Sequence, residues 1–133
     1  MNEQAFKERT KRFALDIIRL VESLPHGRTS EIIGRQLLRS GTSVGANYRS
    51  ACRGRSTADM IAKLRIVEEE GDEAMYWMEL LLESGIAKPA DIDGHMKEAN
   101  EIVAMVVSSI KTMQRKSGAE VMPERIENPK SKI

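Results

Sequence analysis

Cysteine, histidine and aromatic side chains are all scarce in this chain, and each shortage removes a class of function. Cys52 is the single cysteine, so no internal disulfide can form, and His26 and His95 alone cannot supply the Cys/His set of a structural zinc site. Long apolar runs are missing too: residues 102–110 fall far short of the roughly 20 residues a membrane-spanning helix needs. The charged opening segment, residues 1–11, lacks the apolar stretch of a signal peptide. A cytoplasmic address with no membrane partner, no metal and no cofactor is the expectation. No alternation of period two lasts long enough for a strand, which leaves helices.

What the chain does have is four apolar seams. At 133 residues and 41% apolar content it suits one domain with a sizeable core. Phe6, Thr10, Phe13, Ile17, Leu20 and Leu24 recur in steps of three and four, the spacing of one helix face. A second helix, capped by Thr29 or Ser30 and stopped by Gly54, turns Ile33, Leu37, Ser40, Val44, Asn47 and Ala51 inward. Its glycines and hydroxyls at residues 40–45 weaken it and invite a kink, while Gly34, Gly41, Gly45 and Cys52 stack where another helix can approach. Ser56 and Asp59 have the spacing of a capping box ahead of Met60, Leu64, Val67, Gly71, Ala74, Met78 and Leu81. Gly85 suits a left-handed cap, Pro89 a first helical position, and a fourth seam runs from Ile92 through Met96, Ala99, Val103, Val106 and Ile110 to Met113. The fold class is therefore all-α, an antiparallel up-down-up-down four-helix bundle over residues 1–117. Residues 118–133 lose the periodicity, gain Pro123 and Pro129, and read as a disordered tail.

No catalytic constellation accompanies these seams. A nucleophile, a base and an orienting group do not share a face, neither histidine belongs to a Glu-x-x-His pair, and no glycine-rich stretch ends in Gly-Lys-Ser/Thr. Asp91 and His95, four apart, have the spacing of a local contact. Asn47, on the inward side, is a structural polar residue expected to bond backbone near residues 41–45, because an unpaired buried amide costs about 1–3 kcal/mol.

Charge is balanced overall, at +1, but unevenly placed. Residues 25–56 hold Arg28, Arg35, Arg39, Arg49, Arg53 and Arg55 against Glu31, a net of +5, whereas residues 57–85 hold Lys63 and Arg65 against eight acids, a net of −6. Arg35, Arg39, Arg49 and Arg53 fall within about 80° of one another on a helical wheel. Such a stripe either contacts the phosphates of RNA or DNA or pairs with the acidic third helix, in the same chain or a neighbour. Apolar residues that the core seams leave out form further stripes: Ile66, Trp77 and Leu80 on the third helix, and Leu15 and Ile18 on the first. Two such faces per subunit predict a head-to-tail homo-oligomer.

Residues 35–47 (Arg-Gln-Leu-Leu-Arg-Ser-Gly-Thr-Ser-Val-Gly-Ala-Asn), 62–70 (Ala-Lys-Leu-Arg-Ile-Val-Glu-Glu-Glu) and 76–81 (Tyr-Trp-Met-Glu-Leu-Leu) together carry a family resemblance. Across residues 6–114 the chain resembles the small bacterial four-helix-bundle family first noticed in intervening sequences of large ribosomal RNA genes. That resemblance implies an antiparallel four-helix subunit, a ring-like homopentamer and no enzymatic activity. A relative, the accessory variability determinant of diversity-generating retroelements, is strongly basic and binds nucleic acid. Asn47 and its flanking arginines match the family pattern; Tyr48-Arg49-Ser50-Ala51 replaces the Ile-Ala-Glu-Gly that many members carry after the asparagine. The function expected is that of a non-enzymatic, pentamer-forming scaffold for a protein or nucleoprotein partner, with direct RNA or DNA binding through the arginine stripe as the alternative.

Overall fold

The four seams become four helices in the computed structural model, which describes residues 2–117. Helix α1 spans Glu3–Ser23, α2 Arg28–Cys52, α3 Thr57–Glu83 and α4 Pro89–Ser117. The segment 118–133, expected to be a disordered tail, lies outside the described residues.

Most helix ends have the local cause that the sequence announces. The Asn2 side chain caps α1 by accepting from the Ala5 N–H at 2.9 Å, and Pro25 stops that helix by holding Leu24 in extended backbone. Ser56 accepts from the Asp59 N–H at 3.0 Å while the Asp59 carboxylate accepts from the Arg55 N–H at 3.1 Å, a capping pair at the start of α3. Gly85 follows α3 with φ +83°, and α4 opens on Pro89, which has no N–H to leave unpaired. The start of α2 differs from expectation. The Glu31 N–H already donates to the Gly27 carbonyl at 3.0 Å, so Gly27 is the cap and Thr29 and Ser30 lie inside the first turn.

Connections of four or five residues make successive helices antiparallel. The helices pack as a square, α1 on α2, α2 on α3 and α3 on α4, with α4 returning more sparsely to α1 and neither diagonal pair touching. Phe13, Ile17, Leu37, Val67, Met78 and Val106 sit at its centre, at most 1% exposed, each contributing about 1.5–3 kcal/mol by burial. The α1–α4 seam is clasped by Arg9, whose guanidinium donates to both Glu98 oxygens at 2.7 and 2.8 Å and to Glu101 at 2.7 Å.

Two helices settle with a small rotation from the expected faces. On α2 the buried set is Gly34, Leu37, Ser40, Gly41, Val44, Gly45, Tyr48 and Ala51, so Tyr48 is inside and Asn47 only half-buried. The cause is the glycine side, which α1 approaches so closely that a Cβ on Gly41 would stand 2.8 Å from Ile17 Cγ2. No break occurs at residues 40–45: α2 is one continuous helix. Thr42 and Ser43 turn their hydroxyls back onto the Leu38 and Arg39 carbonyls at 2.7 Å, so these groups are satisfied without opening the ladder. On α4, Ile102 takes the fully buried place expected of Val103, which is half-buried and packs instead where Gly71 opens the side of α3.

Candidate functional site

The four arginines of the α2 stripe have unlike surroundings. Arg39 leans to α3, where it pairs with Glu73 and lies 3.3 Å from both carboxylate oxygens of Glu70. That is the intrachain pairing the acidic third helix made available. Arg35, Arg49 and Arg53 are exposed and make no ion pair with any described residue. Arg49 and Arg53 instead line a groove of about 580 Å³ between α1 and α2, and Lys7 and Lys11 of α1 line it from the other side. Between these walls lie the small residues Ala14, Thr42, Gly45 and Ala46, and Gln4 and Glu8 complete the lining. Lys7 has one acidic neighbour, Glu3 at 3.5 Å. The two lysines escape a sequence reading because a helical wheel compares residues within one helix, and this site is built from two.

The apolar stripes are also rearranged. Leu15, Ile18 and Ile66 stand in solvent at 42%, 38% and 39% exposure. Trp77 does not: it is half-buried, packs against the core and meets Tyr76 edge-on at 5.2 Å between ring centres. It sits on the flank of α3 that leans to α2, about 80° from the inward direction, while Tyr76 is one residue back and points outward. Tyr76, 53% exposed, is the aromatic that reaches solvent, with Leu80 half-buried one turn beyond. The Trp77 indole N–H is buried yet finds no acceptor among the described residues. Glu70 and Glu73, tied to Arg39, separate Ile66 from the Tyr76–Trp77–Leu80 cluster.

Potentially reactive groups are quiet. At the end of the bundle where α4 runs past the start of α1, Tyr48 and Cys52 line a second groove of about 430 Å³ with Met60, Met105 and Met113. Burial pushes both the Tyr48 phenol and the Cys52 thiol up from their ordinary pKa, which holds them in their protonated, weakly nucleophilic forms. The Asn47 amide donates to the Ser43 carbonyl at 2.9 Å, a backbone group of its own helix. His95 makes no hydrogen bond or ion pair with Asp91. Among the described residues no three His, Cys, Asp or Glu side chains converge as metal ligands would, and no helix is long and apolar enough to cross a membrane.

Known proteins resemble this chain in both sequence and fold. A family model described as 23S rRNA-intervening sequence protein matches residues 2–108. The chain is also similar to the crystal structure of a protein with unknown function from the S23 ribosomal protein family of Bacteroides thetaiotaomicron. The two share 34% sequence identity with a TM-score of 0.78, over 84% of this chain and 99% of that one. No curated protein gives a significant match.

Proposed function

The chain belongs to the 23S rRNA-intervening sequence protein family, and from that premise we propose that it is a non-enzymatic protein whose subunits associate head to tail. A homopentamer is the ring that the family resemblance implies, and its outer surface is what a protein or nucleoprotein partner would meet. The observation that carries this reading is a second seam on the outside of two helices. Lys11, Leu15, Ile18 and Glu22 on α1, and Ile66, Glu69, Glu73, Tyr76, Leu80 and Glu83 on α3, repeat in steps of four and three, the spacing of helix-on-helix packing. Both point away from the core, on diagonal helices that do not touch each other.

The two faces differ in charge, so unlike faces attract and like faces repel. The α1 seam carries Lys11 and is flanked by Lys7 and Arg35, whereas the α3 seam carries Glu69, Glu73 and Glu83 and is flanked by Glu79. Contact between unlike faces is heterologous, and it closes into a ring when the rotation per subunit permits.

Size exclusion with light scattering tests the proposal. Wild-type protein is expected at a multiple of the 14.9 kDa chain mass, and the double variant Leu15→Glu/Ile18→Glu as a folded monomer. A monomeric wild type at concentrations where the variant is also monomeric would overturn it.

A further inference from the structure

The geometry points to the groove between α1 and α2 as a binding site for the phosphodiester backbone of a nucleic acid, held by Lys7, Lys11, Arg49 and Arg53. This goes beyond self-association: all four cations belong to one subunit, and Lys7 and Lys11, which also border the α1 seam, serve here on the side of it that faces α2. Four cations against Glu8 and Glu3, the ion-pair partner of Lys7, give the groove a net of +2, in a chain whose total is only +1. Lys7 and Lys11 are one helical turn apart on one wall, Arg49 and Arg53 one turn apart on the other, each pair about 6 Å along its helix axis. Lys11, Arg49 and Arg53 have no acidic partner among the described residues, so no intrachain pair competes for them.

The residues between the walls decide between a nucleic-acid backbone and a protein. A docking helix needs large apolar anchors to fill, and Ala14, Gly45 and Ala46 offer none. Small residues there let a phosphate chain sink between the two cationic walls, where ammonium and guanidinium groups neutralise it and release its counterions. The large apolar residues of this side, Leu15 and Ile18, lie farther along α1, beyond the groove. No aromatic ring lines the groove, so bases have nothing to stack on and recognition is of the backbone alone. RNA and DNA of the same length are therefore expected to bind alike.

The test is fluorescence anisotropy with labelled mixed-sequence single-stranded RNA and DNA oligonucleotides of about 20 nucleotides, titrated at several salt concentrations, where each phosphate neutralised adds about 0.7 to the log–log salt slope. Wild-type protein is expected to bind both with salt-dependent affinity. Lys7→Gln/Lys11→Gln/Arg49→Gln/Arg53→Gln should bind at least tenfold more weakly, with a log–log salt slope smaller by about 3. Arg39→Gln, tied to α3, should bind as wild type does. Circular dichroism of each variant separates lost binding from lost folding, and the milder pair Lys11→Gln/Arg49→Gln gives an intermediate slope if the fourfold variant unfolds. Absent binding by wild type, an unchanged slope in the folded variants, or a loss on Arg39→Gln equal to theirs would overturn the proposal. So would a fourfold variant that loses subunit association while wild type ignores both oligonucleotides, because the groove would then belong to the acidic face of a second copy. A monomeric wild type that still binds would contradict head-to-tail assembly and leave the groove standing.

Discussion

Arg9 is the residue whose electrostatics are most clearly resolved, and nothing in the sequence draws attention to it. Its hydrogen bonds hold the Glu98 carboxyl below the ordinary carboxylate range, against an opposing push from burial. A depressed carboxylate pKa adds stability that is fully present above the unfolded value, near about 4.3, and disappears as pH falls through the lower folded value. Arg9→Gln should therefore cost about 1 kcal/mol at neutral pH, the scale of a well-formed but partly exposed ion pair. The gap between the two proteins should be constant from pH 6 to 8 in urea titrations and close below about pH 4. A gap that persists unchanged in acid would assign the loss to packing of the Arg9 stem. Asn47 and Trp77 show why single side chains are harder to read than seams. Each lies on the flank of its helix, where a rotation of about 20–40° decides whether it is inside, and a wheel drawn at 100° per residue does not fix that rotation. Asn47 ends half-buried on the Ser43 carbonyl, and Trp77 is covered while its neighbour Tyr76 is not.

At the scale of the element, the seams of α1 and α3 were legible because their large apolar residues repeat without interruption. α2 was less so, since glycine carries no hydrophobic signal although it lies at the closest approach of two helices. Gly41 makes the point testable. Alanine normally stabilises a helix by about 1 kcal/mol over glycine, yet its Cβ here would meet the fully buried Ile17 at 2.8 Å, an overpacking cost of about 1–3 kcal/mol. Gly41→Ala is expected to lower stability by up to about 2 kcal/mol, after the propensity gain is subtracted. Gly94, on exposed α4 surface with nothing within 4 Å of an added Cβ, should show the opposite sign, Gly94→Ala raising stability by up to about 1 kcal/mol. Chemical denaturation of the two variants side by side reads both effects, and equal shifts would mean that the α1–α2 approach is slack. The same limit hid the groove: Lys7 and Lys11 belong with Arg49 and Arg53 only once two helices are packed.

At the scale of the whole molecule, four apolar seams and short connections were sufficient to give the bundle and its order. How copies of it meet is a question of surfaces, and the second seams on α1 and α3 make a definite claim: unlike faces join, one from each subunit. Two face-specific variants test that claim most directly. Leu15→Glu/Ile18→Glu spoils the α1 face and leaves the α3 face intact, while Ile66→Glu/Tyr76→Glu does the reverse, both at exposed positions. Each should be a folded monomer alone. Mixed in equal amounts, they retain one good α1 face and one good α3 face between them, so light scattering should find a one-to-one dimer of about 30 kDa, with no larger ring because every further contact needs a spoiled face. Either variant forming dimers by itself, or a mixture that stays monomeric while wild type assembles, would contradict the head-to-tail account.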